Sequence, residues 1–162
     1  MFSNRLFNVF LAIAVLTLIA MRSIGLAALS TTEASGNFIA TSTTIHSVTE
    51  DKLNEIINLS SRITYTGTLE GISTLQGTLT VHRNGSGIFQ GVETFTGTLN
   101  GIPGTLSFNV TGTSDLYQAI QLTNTITSGT DALASLHGEL SKTGMIKDSG
   151  PVGTYAGKVN RE

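Results

Sequence analysis

The chain has 162 residues, with 9 basic and 11 acidic side chains and neither cysteine nor tryptophan. This charge balance disfavours nucleic-acid binding, because phosphates are bound by clustered Lys and Arg side chains. The lack of cysteine excludes disulfides, thiolate nucleophiles and cysteine-ligated metals, so the fold must be stabilised by its core alone.

Residues 1–27 are typical of an export signal. Arg5 precedes an apolar run from Val9 to Met21, which is shorter than the roughly 20 residues that a membrane-spanning helix needs. Gly25 and Ala27 then supply the small residues that precede a signal cleavage point. We therefore predict a secreted or extracytoplasmic protein.

An uncleaved membrane anchor over residues 6–29 is the alternative, and we predict no other contact with a membrane. Loss of the signal would leave 7 basic against 11 acidic side chains, a net charge of −4. Residues 28–36, rich in Ser, Thr and Ala, indicate a flexible leader. Residues 37–162 are enough for one domain with a continuous core.

The first two predicted strands differ in clarity. Asn37–Val48 is rich in β-branched residues, but its apolar side chains fall on both faces, so its orientation is ambiguous. Residues 50–59 could form a short helix, since Leu53, Ile56 and Ile57 have helical spacing. An unbroken alternation nevertheless favours a long strand over residues 54–69.

An eight-residue pattern occurs twice. Tyr65–Ile72 (Tyr-Thr-Gly-Thr-Leu-Glu-Gly-Ile) is repeated as Phe95–Ile102 (Phe-Thr-Gly-Thr-Leu-Asn-Gly-Ile). We predict two similar hairpins that turn at Glu70-Gly71 and at Asn100-Gly101, where glycine tolerates positive φ.

The segment Gly85–Leu106 carries the most distinctive strand. Its odd positions include Phe89, Glu93 and Phe95, while its even positions are mostly threonine and glutamine. Because side chains alternate between the faces of a strand, Glu93 is predicted to share the buried aromatic face. A carboxylate there must be paired, hydrogen-bonded or shifted in pKa.

Further strands are predicted around residues 75–83, 106–112, 120–126, 133–140 and 153–159, which makes eight in all. Such a chain is typical of an all-β sandwich or barrel. Inward-facing glycines favour the barrel, because they let strands coil sharply. We predict a closed or nearly closed antiparallel eight-stranded β-barrel. The inward glycines are Gly67, Gly77, Gly91 and Gly97.

Four segments, taken in order, resemble a bacterial family of unknown function. They are Ala34–Phe38, Tyr65–Gly71, Gly87–Gly101 and residues 129–138. The resemblance implies a fold like the allene oxide cyclase barrel. It implies little about activity, because function depends on sites and not on the barrel.

Glu93 is the candidate catalytic residue. Burial would raise its pKa toward the range of a general acid or base. A structural carboxylate, paired with Arg62 or Arg83 or satisfied by backbone N–H groups, is the competing interpretation. The candidate ligand-binding residues are Tyr65, Phe89, Glu93, Phe95 and Asn124.

No metal site or cofactor is predicted, because His46, His82 and His137 are scattered without metal-ligand spacing. The residues favour a non-catalytic exported barrel that binds a small apolar ligand. The alternatives are a cyclase or isomerase acting on a lipid-like substrate through Glu93, and a structural surface module with a filled interior. Oligomeric state is left open.

Overall fold

A computed structural model describes residues 30–51 and 53–161, which form one closed antiparallel β-barrel. Each strand pairs with the next along the chain, and the last pairs with the first. The predicted all-β, eight-stranded barrel is therefore confirmed. The strands are β1 Ser30–Asp51, β2 Asn54–Gly67, β3 Leu69–His82, β4 Gly87–Leu99, β5 Ile102–Ser114, β6 Ala119–Gly129, β7 Leu136–Lys147 and β8 Gly150–Arg161, with a 3-10 turn, η1, at Asp131–Leu133.

The predicted signal or anchor over residues 1–27 lies outside the described residues. Within the described part of the chain, no helix is both long enough and apolar enough to cross a membrane. The predicted leader over residues 28–36 is wrong from Ser30 onward. Ser30 pairs with Arg161 of β8, so these residues close the barrel.

The register of strand β1 explains why its sequence pattern does not show which side chains point inward. Its register against β2 shifts twice, between Ala40 and Ser42 and between Ile45 and Ser47. Each irregularity adds one residue, so the side chains beyond it point to the opposite face. Phe38 and Ala40 are buried before the first shift, and Ile45 after it is 58% exposed but borders the opening of the barrel interior.

The repeated pattern folds in two different ways. Asn100 and Gly101 form the predicted turn between β4 and β5, with φ values of 50° and 77°. The predicted turn at Glu70-Gly71 is wrong, because both residues lie within β3 and the chain reverses at Thr68. Asparagine tolerates positive φ far better than glutamate, so the second copy can turn where the first cannot.

The inward glycines allow neighbouring strands to approach closely. Gly77 of β3 pairs with Gly91 of β4, and a Cβ at Gly77 would lie only 2.9 Å from the Gly91 Cα. Side chains here would separate the strands and oppose their coiling. Gly67, by contrast, lies at the β2–β3 turn and is exposed.

The two ends of the barrel are built differently. The packed end carries the β2–β3 and β4–β5 turns and η1, and Leu133 of η1 is completely buried there with Leu69 and Leu106. The open end carries the other four connections. A mainly apolar cavity lies at the open end, and a second pocket, bordered by Ser30, Leu99 and Leu136, lies at the rim of the packed end.

Candidate functional site

Glu93 lies at the middle of β4 and is fully buried, with an exposed fraction of 0%. Its inward neighbour Phe95 is equally buried, whereas Thr94 between them is exposed. The predicted alternation is confirmed here. A carboxylate so placed has no surface exposed to bulk solvent, and its partners therefore decide its charge state.

Four side chains donate hydrogen bonds to this carboxylate. Tyr65 Oη and Ser73 Oγ donate to Oε1, at 2.6 and 2.5 Å. Asn124 Nδ2 and Lys142 Nζ donate to Oε2, each at 2.8 Å. A carboxylate offers about four lone-pair sites, so its accepting capacity is filled. We call Tyr65, Ser73, Glu93, Asn124 and Lys142 the central polar cluster.

Lys142 is the cation that neutralises Glu93. It lies on the inward face of β7, its side chain is 1% exposed, and its Nζ stands 5.0 Å from the ring centroids of both Phe38 and Tyr65. The aromatic faces give the ammonium a further favourable electrostatic contact. The predicted partners Arg62 and Arg83 are wrong, because both side chains are exposed.

The electrostatics of the cluster keep Glu93 ionised. Burial raises the pKa of Glu93, but the Lys142 ammonium and the hydrogen bonds from Lys142, Ser73 and Tyr65 outweigh it, so the pKa lies below its usual value. The expectation of a raised pKa is therefore wrong. Burial, followed by the negative charge of Glu93, holds the pKa of Tyr65 well above its usual value.

The central polar cluster is suited to holding the strands in register rather than to transferring protons. A general base needs a free lone pair toward its substrate, and Glu93 has none to spare. One acceptor remains, because Asn124 Oδ1 is buried and accepts no hydrogen bond from the described residues. The cluster joins β2, β3, β4, β6 and β7 at the barrel centre.

A cavity of about 270 Å³ occupies the open end. Its walls are mainly aliphatic, and its mouth is bordered by Lys147 and Asp148 near the β7–β8 turn. Leu75, the cross-strand partner of Glu93, belongs to the lining, whereas Glu93 does not. The apolar lining residues are Ile45, Ile57, Leu59, Leu75, Leu79, Phe89, Ile120, Leu122, Ile146 and Pro151.

The predicted ligand-binding residues are thus divided between two places. Phe89 lines the cavity. Tyr65, Glu93 and Asn124 are hydrogen-bonded together in the central polar cluster, and the Phe95 ring packs edge-on against Tyr65 with centroids 5.7 Å apart.

Two members of the cluster, Ser73 and Lys142, were absent from the sequence-based candidates. Lys142 follows Leu136 and Leu140 on one alternating face of β7, and this pattern was the available signal. Among residues 30–51 and 53–161, no group of three or more His, Cys, Asp or Glu side chains could hold a metal ion. His46 and His82 instead contact Ser60 and Asn54.

Fold and interior together define a small, closed antiparallel barrel with a charged centre and one open apolar end. The chain belongs to the family described as "Protein of unknown function (DUF3224)", which matches residues 34–153. The predicted resemblance to a bacterial family of unknown function is confirmed. No functionally curated protein matches the chain.

Several solved structures resemble this barrel, including one from the same family and one dirigent protein. A protein of unknown function from the DUF3224 family of Shewanella oneidensis MR-1 has a TM-score of 0.67 and 20% identity, covering 82% of this chain and 99% of that chain. The pterocarpan synthase dirigent protein GePTS1 has a TM-score of 0.52 and 19% identity, covering 86% and 92%. At these identities the likeness shows the fold alone.

Proposed function

We propose that this protein is a non-catalytic binding barrel that takes a small apolar molecule into the cavity at its open end. The observation that carries this proposal is an apolar cavity of about 270 Å³ that opens at one mouth of the barrel and is lined by inward side chains of its strands. Small-molecule sites are typically concave and mainly apolar, with volumes from about 300 Å³ upward. The cavity is near the lower limit, which favours a compact ligand.

The geometry gives less support to catalysis through Glu93. An acid or base must lie within hydrogen-bond reach of the reacting atom. Glu93 is outside the cavity lining, its four acceptor sites are filled, and its pKa is lowered rather than raised. The cyclase or isomerase alternative is therefore the weaker of the two.

A fluorescence titration tests the binding proposal. N-phenyl-1-naphthylamine is a neutral probe that brightens in apolar surroundings, and we expect it to bind the wild-type protein saturably at one site. The Ile57→Trp substitution enlarges a side chain of the cavity wall and should abolish that binding. The control is Ile72→Trp, because Ile72 is 40% exposed and lies outside the cavity.

Equal binding by the two variants, or no saturable binding by the wild type, would refute the proposal. Circular dichroism and urea denaturation would establish that both variants retain the fold.

We further propose that the barrel acts outside the cytoplasm after removal of its signal. Gly25 and Ala27 precede the expected cleavage point, so the mature chain should begin at Ala28. Intact-mass measurement of protein expressed in its host would give the mass of residues 28–162. A mass that includes residues 1–27 would instead support the anchored alternative.

A further inference from the structure

The most deeply buried polar side chain of the cavity lining is Ser61. It is 3% exposed, whereas Thr43, Thr113, Lys147 and Asp148 of the same lining are exposed and Ser114 is half-buried. A polar atom at the inner part of an apolar cavity orients a ligand, because its hydrogen bond is protected from water. The hydrogen-bonding state of Ser61 therefore matters for ligand choice.

Two hydrogen bonds determine that state. Thr43 Oγ1 donates to the backbone carbonyl of Ser149 at 3.1 Å, since a carbonyl can only accept. Thr43 Oγ1 also lies 2.9 Å from Ser61 Oγ. A hydroxyl carries a single proton, and that of Thr43 is already used. Keeping both bonds requires Ser61 to donate to Thr43.

Ser61 Oγ is thus left with acceptor lone pairs and no proton to offer. Thr43 is the hydrogen-bonding partner of Ser61 Oγ among the described residues. The acceptor character matches that of Asn124 Oδ1, the buried and unsatisfied acceptor of the central polar cluster. The inner part of the barrel is therefore better prepared to receive a hydrogen-bond donor than an acceptor.

We infer that the cavity selects apolar molecules that carry a hydroxyl group, with the ligand O–H donating to Ser61 Oγ and the hydrocarbon body against the aliphatic wall. This inference rests on the proposed binding function and names its ligand class. Ethers and hydrocarbons of the same size gain the apolar contacts alone. An ionised carboxylate finds no hydrogen-bond donor at Ser61, whose proton is used by Thr43.

A competition experiment with two isomers tests this inference. 1-Octanol and heptyl methyl ether have the same atoms and differ in whether they can donate a hydrogen bond. Each would displace N-phenyl-1-naphthylamine from the wild type and from Ser61→Ala. The ratio of the ether Kd to the alcohol Kd should fall about five- to tenfold in Ser61→Ala, the size of one net hydrogen bond.

Thr43→Val separates this account from a steric role for Ser61. The substitution removes the acceptor for the Ser61 proton, so Ser61 becomes able to donate to the ether oxygen. The same ratio should therefore fall in Thr43→Val although Ser61 is intact. Ser60→Ala is the matched control, because Ser60 contacts His46 and lies outside the cavity.

The outcomes distinguish the two proposals. If probe and ether bind but the ratio stays within twofold of wild type in Ser61→Ala, the hydroxyl selectivity is refuted and the binding function survives. A ratio that falls in Ser61→Ala but not in Thr43→Val would refute the hydrogen-bond assignment. If the probe does not bind the wild type at all, both proposals fail together.

Discussion

At the scale of single residues, the Glu93–Lys142 pair shows how a carboxylate is accommodated in an apolar interior. Removing both charges from water costs several kcal/mol per ion, and the attraction between them repays this only with good geometry and further hydrogen bonds. Here Tyr65, Ser73 and Asn124 supply those bonds. We interpret the pair as a structural element that fixes which side chains face inward.

The Glu93→Gln substitution should destabilise the barrel by about 3–5 kcal/mol, because it leaves the buried Lys142 ammonium without a counter-charge. Urea denaturation would measure the loss. Glu33→Gln is the control, since Glu33 pairs with Lys158 at 3.4 Å with both side chains largely exposed. Exposed pairs contribute less than about 1 kcal/mol. Equal losses in the two variants would contradict a structural role for the buried pair.

The same pair should govern the acid stability of the protein. The pKa of Glu93 is lower in the folded than in the unfolded chain, so its contribution is complete above the ordinary carboxyl pKa of about 4.3. That contribution is lost as pH falls further, through the folded pKa.

Urea midpoints between pH 7 and pH 3 would measure this loss. The double variant Glu93→Gln with Lys142→Met removes both charges, so its stability should fall less on acidification than that of the wild type. A parallel fall in the two proteins would assign the acid sensitivity elsewhere.

Part of the cluster was accessible from sequence alone. Strict alternation through Phe89 and Phe95 placed Glu93 inside, and Asn124 lay on an inward parity of its own strand. Ser73 is not among the predicted residues, because the sequence pattern puts the first hairpin turn at Glu70-Gly71 rather than at Thr68. Lys142 was missed because the predicted strand stopped at Leu140. A lysine next to leucines on one face carries no signal of its partner, which lies on a distant strand.

At the scale of the strands, the alternation of apolar and polar residues identifies the buried face wherever a strand stays in register. The alternation does not identify the buried face of β1, because two register shifts within this strand turn the following side chains to the opposite face. The repeated eight-residue pattern also gives one wrong prediction, because its two similar copies turn at different positions. The difference depends on one residue, because Asn100 accepts φ of 50° whereas Glu70 stands in the extended strand.

The two turns should respond differently to alanine. Gly101 has φ of 77° with nothing near its Cβ position, so Gly101→Ala should cost about 1–2 kcal/mol through backbone strain alone. Gly67 has φ of 109°, and its Cβ would lie 2.6 Å from the Ser35 carbonyl oxygen and 2.7 Å from the Gly36 Cα.

Gly67→Ala should therefore cost at least about 1 kcal/mol more than Gly101→Ala, since overpacking adds to strain. Chemical denaturation of both variants would test this order. The reverse order would mean that the β2–β3 turn relaxes away from β1.

At the scale of the whole molecule, the closed barrel and its asymmetry are the main results. Closure pairs every strand edge, including that of Ser30–Gly36, which sequence composition had suggested to be a leader. The described chain begins at the packed end, opposite the cavity. Sequence could predict eight strands and closure, but not whether the interior was open or filled.

Whether the barrel interior is open or filled depends on the volume left between the inward side chains. Alternation determines which side chains point inward, whereas the space between them depends on strand stagger, coiling and the close approach of glycine pairs such as Gly77 and Gly91. None of these quantities is encoded in a local pattern. The cavity could therefore be located only in the assembled barrel.

Methyl-detected NMR with 1-octanol tests the binding function most directly. Saturable shifts should appear at Leu59, Leu79 and Leu122 in the cavity wall, while Leu69 and Leu106 near the packed end stay unchanged. Such a result would place the ligand in the open end. Shifts of equal size at both ends, or no saturable shift at the three wall residues, would contradict the proposal that this barrel binds a ligand at its mouth.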